Sequence, residues 1–172
     1  MDDKRTVRRR MQLVRGLIDD ELLRSVQLWA ELSALVQYAE ATTVMAFSAI
    51  AGEPDTDGLF ARLARDAKTL VLPRMRGGTI EPALVGDGLA PGQLGIREPQ
   101  GGAVDLREID LVIVPGVAFT PQGDRLGRGG GHYDRFLPGL RCPTIGVCFA
   151  EQVVDVLPID PHDARVDRVL VA

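Results

Sequence analysis

The chain has 172 residues, 45% of them hydrophobic and 26% charged, with a formal charge of -4. That size and apolar content suit one domain, spanning residues 1–172, with a real core, and the acidic balance excludes the broad basic surface of a general nucleic-acid binder. No uninterrupted apolar run approaches the ~20 residues that cross a bilayer. Cys142 and Cys148 lack metal-ligand partners at suitable spacing, so reduced thiols, a cytoplasmic setting and no membrane contact are expected.

Val7, Met11, Val14 and Leu17 or Ile18 recur at helical spacing and predict an amphipathic N-terminal helix whose polar face carries Lys4, Arg5, Arg8 and Arg9. Lys4 and Arg8 are four apart, so they share a face and could jointly hold a polyphosphate. The alternative is a solvated basic face, or one touching nucleic acid or an acidic lipid surface. A second helix follows Asp19 and Asp20, with Leu22, Val26, Trp29, Leu32, Leu35 and Val36 as its apolar side; Trp29 is expected in the core rather than on a ligand ring. Thr43 to Ala49 reads as a buried strand. Pro54 forces the chain out of it, which leaves Glu53 at a strand exit. Ligands gather beyond the carboxyl ends of strands in parallel α/β sheets, so Glu53 is a candidate contact; the plainer role is a first-turn helix carboxylate.

Leu59, Phe60, Leu63 and Ala67 mark a third helix, and Thr69 to Leu72 a short strand stopped by Pro73, with Arg74 and Arg76 beyond. Gly77 to Gly102 is rich in Gly and Pro. Apart from a strand near Ile80 to Val85 it is expected to be irregular, a lid or binding wall. Further strands are expected at Leu111 to Val114, Thr144 to Phe149 and Val169 to Val171. This alternation predicts a three-layer α/β/α sandwich with a mixed, largely parallel sheet.

Asp110 to Leu137 carries the most chemistry. After the Leu111–Val114 strand the loop turns basic and glycine-rich: Arg125, Gly127, Arg128, Gly129, Gly130 and Gly131 precede His132, Tyr133 and Asp134, where a helix can begin. Strand, flexible turn and helix start together form an anion site, because free backbone N–H groups face the turn. Neither a Walker loop nor a G-x-G-x-x-G turn fits: the chain has no Gly-Lys pair, and His132 stands where the third Gly would fall. A plain tight turn is the alternative, but it does not need guanidinium groups on both sides of its glycines.

The run VPGVAFTPQGDRLGRGGGHYDRFL resembles the signature of the 5-formyltetrahydrofolate cyclo-ligase family, roughly V-P-G-x-A-F-D-x-x-G-x-R-L-G-x-G-x-G-Y-Y-D, with Thr120 in place of Asp and His132 in place of the first Tyr. The resemblance continues through Lys4 and Arg8, Gly52 to Thr56, Leu72 to Arg74, Gly95 to Pro99, Glu151-Gln152 and His162-Asp163. It implies a fold like the sugar-phosphate isomerase and CoA-transferase superfamily. It implies ATP contacts at Lys4, Arg8, Arg125, Leu126, Gly127, Arg128, Gly129, Gly130, Gly131, His132 and Tyr133. Folate contacts would fall at Ser48, Glu53, Arg128, Gly129, Gly130, Gly131 and His132, and the Gly95–Pro99 stretch would wall the pocket. Arg128 and Asp134 would be catalytic, and Asp134 with Asp163 would hold Mg2+, which needs only one or two carboxylates besides phosphate oxygens and water. His162 is expected to be a neutral structural histidine.

The reaction so implied activates a formyl oxygen by ATP-dependent phosphorylation and then closes a ring. It needs positioning and electrostatic clamping but no protein nucleophile, in keeping with a chain that has no Ser-His-Asp or Cys-His constellation. ATP and 5-formyltetrahydrofolate are the expected partners, with no nucleic acid, and a monomer is expected. Three readings stand beside it: a folate- or nucleotide-binding module of the same fold that has lost turnover, a sugar-phosphate isomerase with no need of ATP, and a nucleic-acid contact at the N-terminal helix.

Overall fold

The computed structural model describes residues 2–92 and 95–172. In chain order its elements are α1 (Lys4–Arg15), α2 (Glu21–Ser33), α3 (Val36–Glu40), β1 (Thr43–Met45), α4 (Asp57–Arg65), β2 (Thr69–Arg76), β3 (Thr79–Leu84), β4 (Leu89–Pro91), β5 (Arg97–Pro99), β6 (Leu111–Pro115), β7 (Ala118–Phe119), β8 (Arg125–Leu126), α5 (His132–Phe136), β9 (Thr144–Cys148) and β10 (Arg168–Val171). Six strands form one sheet in the order β10-β9-β6-β1-β2-β3, parallel throughout except for the β2–β3 pair. The mixed, mostly parallel α/β architecture is as expected.

Strand β6 shows why an unbroken apolar run becomes a central strand. Leu111 and Ile113 pack with Leu28, Trp29, Leu32, Leu59 and Leu63 from α2 and α4, while Val112 and Val114 pack with Phe119, Phe136 and Leu137 on the opposite face. All four strand residues are fully buried, as a parallel strand covered on both faces requires. A smaller cluster of Val7, Met11, Val117, Ala118, Leu126 and Leu157 docks α1 against the segments that follow β6. Each such buried side chain contributes roughly 2 kcal/mol, so apolar packing is a principal anchor of α1.

Three details depart from the sequence reading. The buried face of α2 is Ser25, Leu28, Trp29 and Leu32, whereas Leu22, Val26 and Val36 are exposed. Ser25 tolerates burial because its hydroxyl donates to Glu21 O at 2.6 Å and accepts from Asp55 N–H at 2.9 Å. Trp29 lies in the core as expected, its indole N–H donating to Asp55 O at 2.6 Å.

Pro73 does not stop β2, which runs on to Arg76. It faces Pro82 of β3, and β1 reaches only to Val71 along the other edge of β2. Two prolines can oppose each other only where the antiparallel ladder needs no N–H, so neither removes a hydrogen bond. Last, the stretch from Gly77 to Gly102 is more regular than expected. It contains β3, reached from β2 by the two-residue Gly77-Gly78 turn, and the β4–β5 hairpin; residues 93 and 94 of that stretch lie outside the described residues. Among the described residues, no helix is long and apolar enough to cross a membrane.

Candidate active site

The carboxyl ends of β1, β2 and β6 deliver Phe47 and Ser48, Pro73 and Met75, and Pro115 and Gly116 to one cavity of about 360 Å3. This is the switch-point position at which parallel sheets bind ligands. Ile80, Ile96 and Glu98 supply a further wall, so the Gly95–Pro99 stretch does border the pocket. The glycine loop closes the remaining side with Gly127, Arg128, Gly130, Gly131, His132, Tyr133 and Asp134. On the far side of the same loop is a polar cavity of about 180 Å3, bordered by Lys4 and Arg8 of α1, Leu126, Gly129, Asp160, His162 and Asp163. Arg125, Gly127, Gly131 and Asp134 line both. The loop is therefore a partition between an apolar chamber and a charged one.

Several pairs hold that partition. Arg125 is almost fully buried and donates from Nη2 to Asp134 Oδ1 at 2.6 Å, and its guanidinium lies 5.5 Å from the Tyr133 ring centroid. Arg8 Nε donates to Gly127 O at 2.8 Å, tying α1 to the loop. Gly129 and Gly131 take φ of +109° and +64°, the left-handed region in which a side chain would be strained. Helix α5 is only five residues long, so its dipole is small, and the groups suited to an anion here are loop amides and guanidinium groups rather than a helix terminus.

Glu53 is buried, with Oε1 3.4 Å from Arg15 Nη2 and Oε2 accepting from Ile50 N–H at 3.3 Å. Burial pushes its carboxyl above the ordinary range, against the pull of Arg15, the Ile50 N–H and Arg128. Ser48 Oγ donates to Arg97 O at 2.9 Å, joining the end of β1 to β5. The Tyr133 phenol is also raised by burial and stays neutral. Two buried polar atoms at the cavities, Arg125 Nε and Tyr133 OH, lack a partner among the described residues. Such orphans are costly unless a ligand completes them.

The structure sorts the expected contacts by chamber. Arg128, Gly130, His132 and Tyr133 border only the larger cavity, while Lys4, Arg8, Leu126 and Gly129 border only the smaller. Arg5, Arg9 and Arg10 are exposed, so the basic helix is part site and part solvated face. Asp134 and Asp163 border the same smaller cavity but do not touch: Asp134 is held by Arg125, and Asp163 by the Lys4 ammonium at 2.5 Å. The acidic group that does cluster is Asp160, His162 and Asp163, whose ligand atoms lie within 4.8 Å of one another. His162 is exposed at the cavity rim with Nε2 4.0 Å from Asp163 Oδ1, beyond the hydrogen-bond distance a structural histidine would show.

His132 Nδ1 lies 3.3 Å from Gly78 O, and Arg135 Nη2 donates to that same oxygen at 3.1 Å, so the β2–β3 turn is latched to the loop. Thr120 is buried, and its hydroxyl accepts from Asp124 N–H and meets Asp124 Oδ2, both at 3.1 Å; a carboxylate thus still shapes the turn, four residues on. Arg15 and Asp160 were missed by the sequence reading. Arg15 lies seven residues beyond Arg8, a helical spacing that could have shown it.

The 5-formyltetrahydrofolate cyclo-ligase family model matches residues 1–172. The chain belongs to the 5-formyltetrahydrofolate cyclo-ligase family. Within that family of ligases, it is 29% identical to the mouse 5-formyltetrahydrofolate cyclo-ligase, over 92% of this chain and 88% of the mouse protein. It is 32% identical to the Escherichia coli 5-formyltetrahydrofolate cyclo-ligase, over 76% and 78%. The solution structure of Aquifex aeolicus 5,10-methenyltetrahydrofolate synthetase superposes with a TM-score of 0.86 at 32% identity, covering 98% of this chain and 89% of that one. The two departures from the cyclo-ligase signature, Thr120 and His132, leave the turn and the loop intact.

Proposed function

We propose that the chain catalyses ATP- and Mg2+-dependent cyclisation of 5-formyltetrahydrofolate to 5,10-methenyltetrahydrofolate, with release of ADP and phosphate. The observation that carries this reading is the glycine partition, with an apolar chamber on one side and a chamber lined by basic and acidic side chains on the other. A pterin suits the chamber walled by Phe47, Met75, Ile80 and Tyr133, and the Glu53 carboxylate suits its ring N–H donors. A triphosphate suits the smaller chamber, which Lys4, Arg8 and Arg125 line together.

The formyl oxygen attacks the terminal phosphorus at the boundary lined from both cavities by Arg125, Gly127, Gly131 and Asp134, and ADP leaves. The neighbouring folate nitrogen then attacks the activated carbon, loses its proton, and phosphate departs with the former formyl oxygen. Arg128 and Arg125 hold the transferring group in line and offset its spreading charge, Gly127 to Gly131 let the reactants approach closely, and Ser48 and Glu53 fix the folate. Carboxylate oxygens are the hard donors that Mg2+ takes, so Asp163, with Asp134 on the same cavity, fits that ion. Bound there, Mg2+ supplies neutralisation of phosphate charge. The test is isotopic. Substrate carrying 18O in the formyl group must deliver the label to inorganic phosphate, and label appearing in water instead would sink the phosphoryl-transfer step.

A further inference from the structure

The smaller cavity holds a group whose position conflicts with two proposed roles at once. Lys4 Nζ donates to Asp160 Oδ2 at 2.6 Å and to both oxygens of Asp163, at 2.7 and 2.5 Å. Asp160 N–H also donates to Asp163 Oδ2 at 2.6 Å, which fixes the two aspartates as one unit. A lysine spent on these carboxylates is not on a phosphate, and carboxylates spent on a lysine are not on a divalent ion. Arg125, which lines this cavity and the larger one, is almost fully buried, paired with Asp134 through Nη2, and has an Nε that lacks an acceptor among the described residues.

We infer that Lys4 and Asp160 form a cation-exchange device: Lys4 is a tethered counter-ion seated on the Asp160–Asp163 cation site, and ATP with its divalent ion enters by exchange. The ammonium moves from the carboxylates to phosphate oxygens while the divalent cation takes the Asp160–Asp163 oxygens, so each incoming charge replaces a like charge already balanced. This rests on the reading of the cavity as the ATP site and adds Asp160, a residue outside the Asp134–Asp163 pair, as a ligand. Divalent cation and nucleotide therefore bind with positive coupling, because either one alone must break the Lys4 contacts without the compensation the other brings. The charge at position 4, rather than its helix, carries the effect, since α1 is anchored by Val7 and Met11.

The experiment is calorimetric titration of Mn2+ into the full chain, with and without a non-hydrolysable ATP analogue, for the wild type, Lys4→Met, Lys4→Arg, and the double variant Lys4→Met with Asp160→Asn. Without nucleotide, Lys4→Met is expected to bind Mn2+ about tenfold more tightly than the wild type, a coupling of ordinary size. Lys4→Arg, which keeps the cation, is expected to stay near the wild type, and Asp160→Asn is expected to reverse most of the gain in the double variant. Circular dichroism checks that each variant is folded, and Lys4→Arg serves as the folded comparison if Lys4→Met is not: Mn2+ binding by Lys4→Arg as tight with the analogue absent as present would overturn the exchange. Equal nucleotide-free Mn2+ affinity in the wild type and Lys4→Met would overturn it too. Failure of the analogue to bind the wild type would instead remove the ATP reading, and the nucleotide-free comparison would still decide whether Lys4 occupies a cation site.

Discussion

Arg125 and Asp134 meet at 2.6 Å across the glycine loop, their side chains only 3% and 16% exposed. The pair joins the first residue of β8 to the first turn of α5, so the loop between them is clamped at both ends. Removing one partner from a pair this buried leaves the other charge uncompensated, at a cost of about 3 kcal/mol. Arg125→Met is therefore expected to lower the melting temperature by roughly 6–12 °C and to weaken folate and nucleotide together. Thermal unfolding and calorimetry with each ligand check this; a variant as stable as the wild type would mean that the pair is not a clamp.

Glu53 governs a pH effect whose sign follows from its burial. Burial raises its carboxyl above 4.5, more than Arg15 and Arg128 lower it. Above the unfolded value the folded chain holds the proton more tightly than the unfolded chain does, so this group's contribution is favourable at low pH and is lost as pH rises through its folded value. Glu53→Gln, which cannot ionise, is expected to gain stability relative to the wild type between pH 4 and pH 8, while losing folate affinity. Urea midpoints measured across that range decide it, and a wild-type-to-variant gap that does not move with pH would refute the burial argument.

Gly123 has φ +91°, and a Cβ there would lie 2.2 Å from Val166 O, part of the segment that carries Asp163 and Val166 past the loop. Its own carbonyl accepts from Val166 N–H at 3.0 Å. Gly123→Ala is expected to cost about 2 kcal/mol through strain and displacement. Chemical denaturation would show it, and a cost below about 0.5 kcal/mol, the range of neutral surface changes, would mean that the segment yields freely.

His132 stands where the cyclo-ligase signature has Tyr, and it reaches Gly78 O at 3.3 Å. Because Arg135 holds the same carbonyl, the latch does not depend on the ring alone. His132→Tyr is expected to change kcat/KM by less than about tenfold, or ~1.4 kcal/mol. A gain of orders of magnitude in steady-state assays would instead identify His132 as an impairment and favour the binding-module reading.

Much of this architecture could be read from local pattern. The Leu111–Val114 run announced a strand buried on both faces, and Val7 with Met11 announced the docked side of α1, because burial imposes a period on neighbouring residues. The missed features depend on partners far away in the chain. Ser25 is buried because Asp55 reaches it; Pro73 stays in a strand because Pro82 opposes it. Asp160 is bonded to Lys4, 156 residues away, and no spacing rule links the two. The division of the loop into two chambers was likewise invisible, since Gly129 and Gly130 are adjacent in sequence yet border different cavities.

The most direct measurement is the appearance of 5,10-methenyltetrahydrofolate, followed by its near-ultraviolet absorbance, with purified protein, 5-formyltetrahydrofolate, ATP and Mg2+, and with each component omitted in turn. The expected result is a signal that requires all four. No signal from the complete mixture, with folate or ATP still binding by calorimetry, would contradict the enzyme and leave a binding module of the same fold.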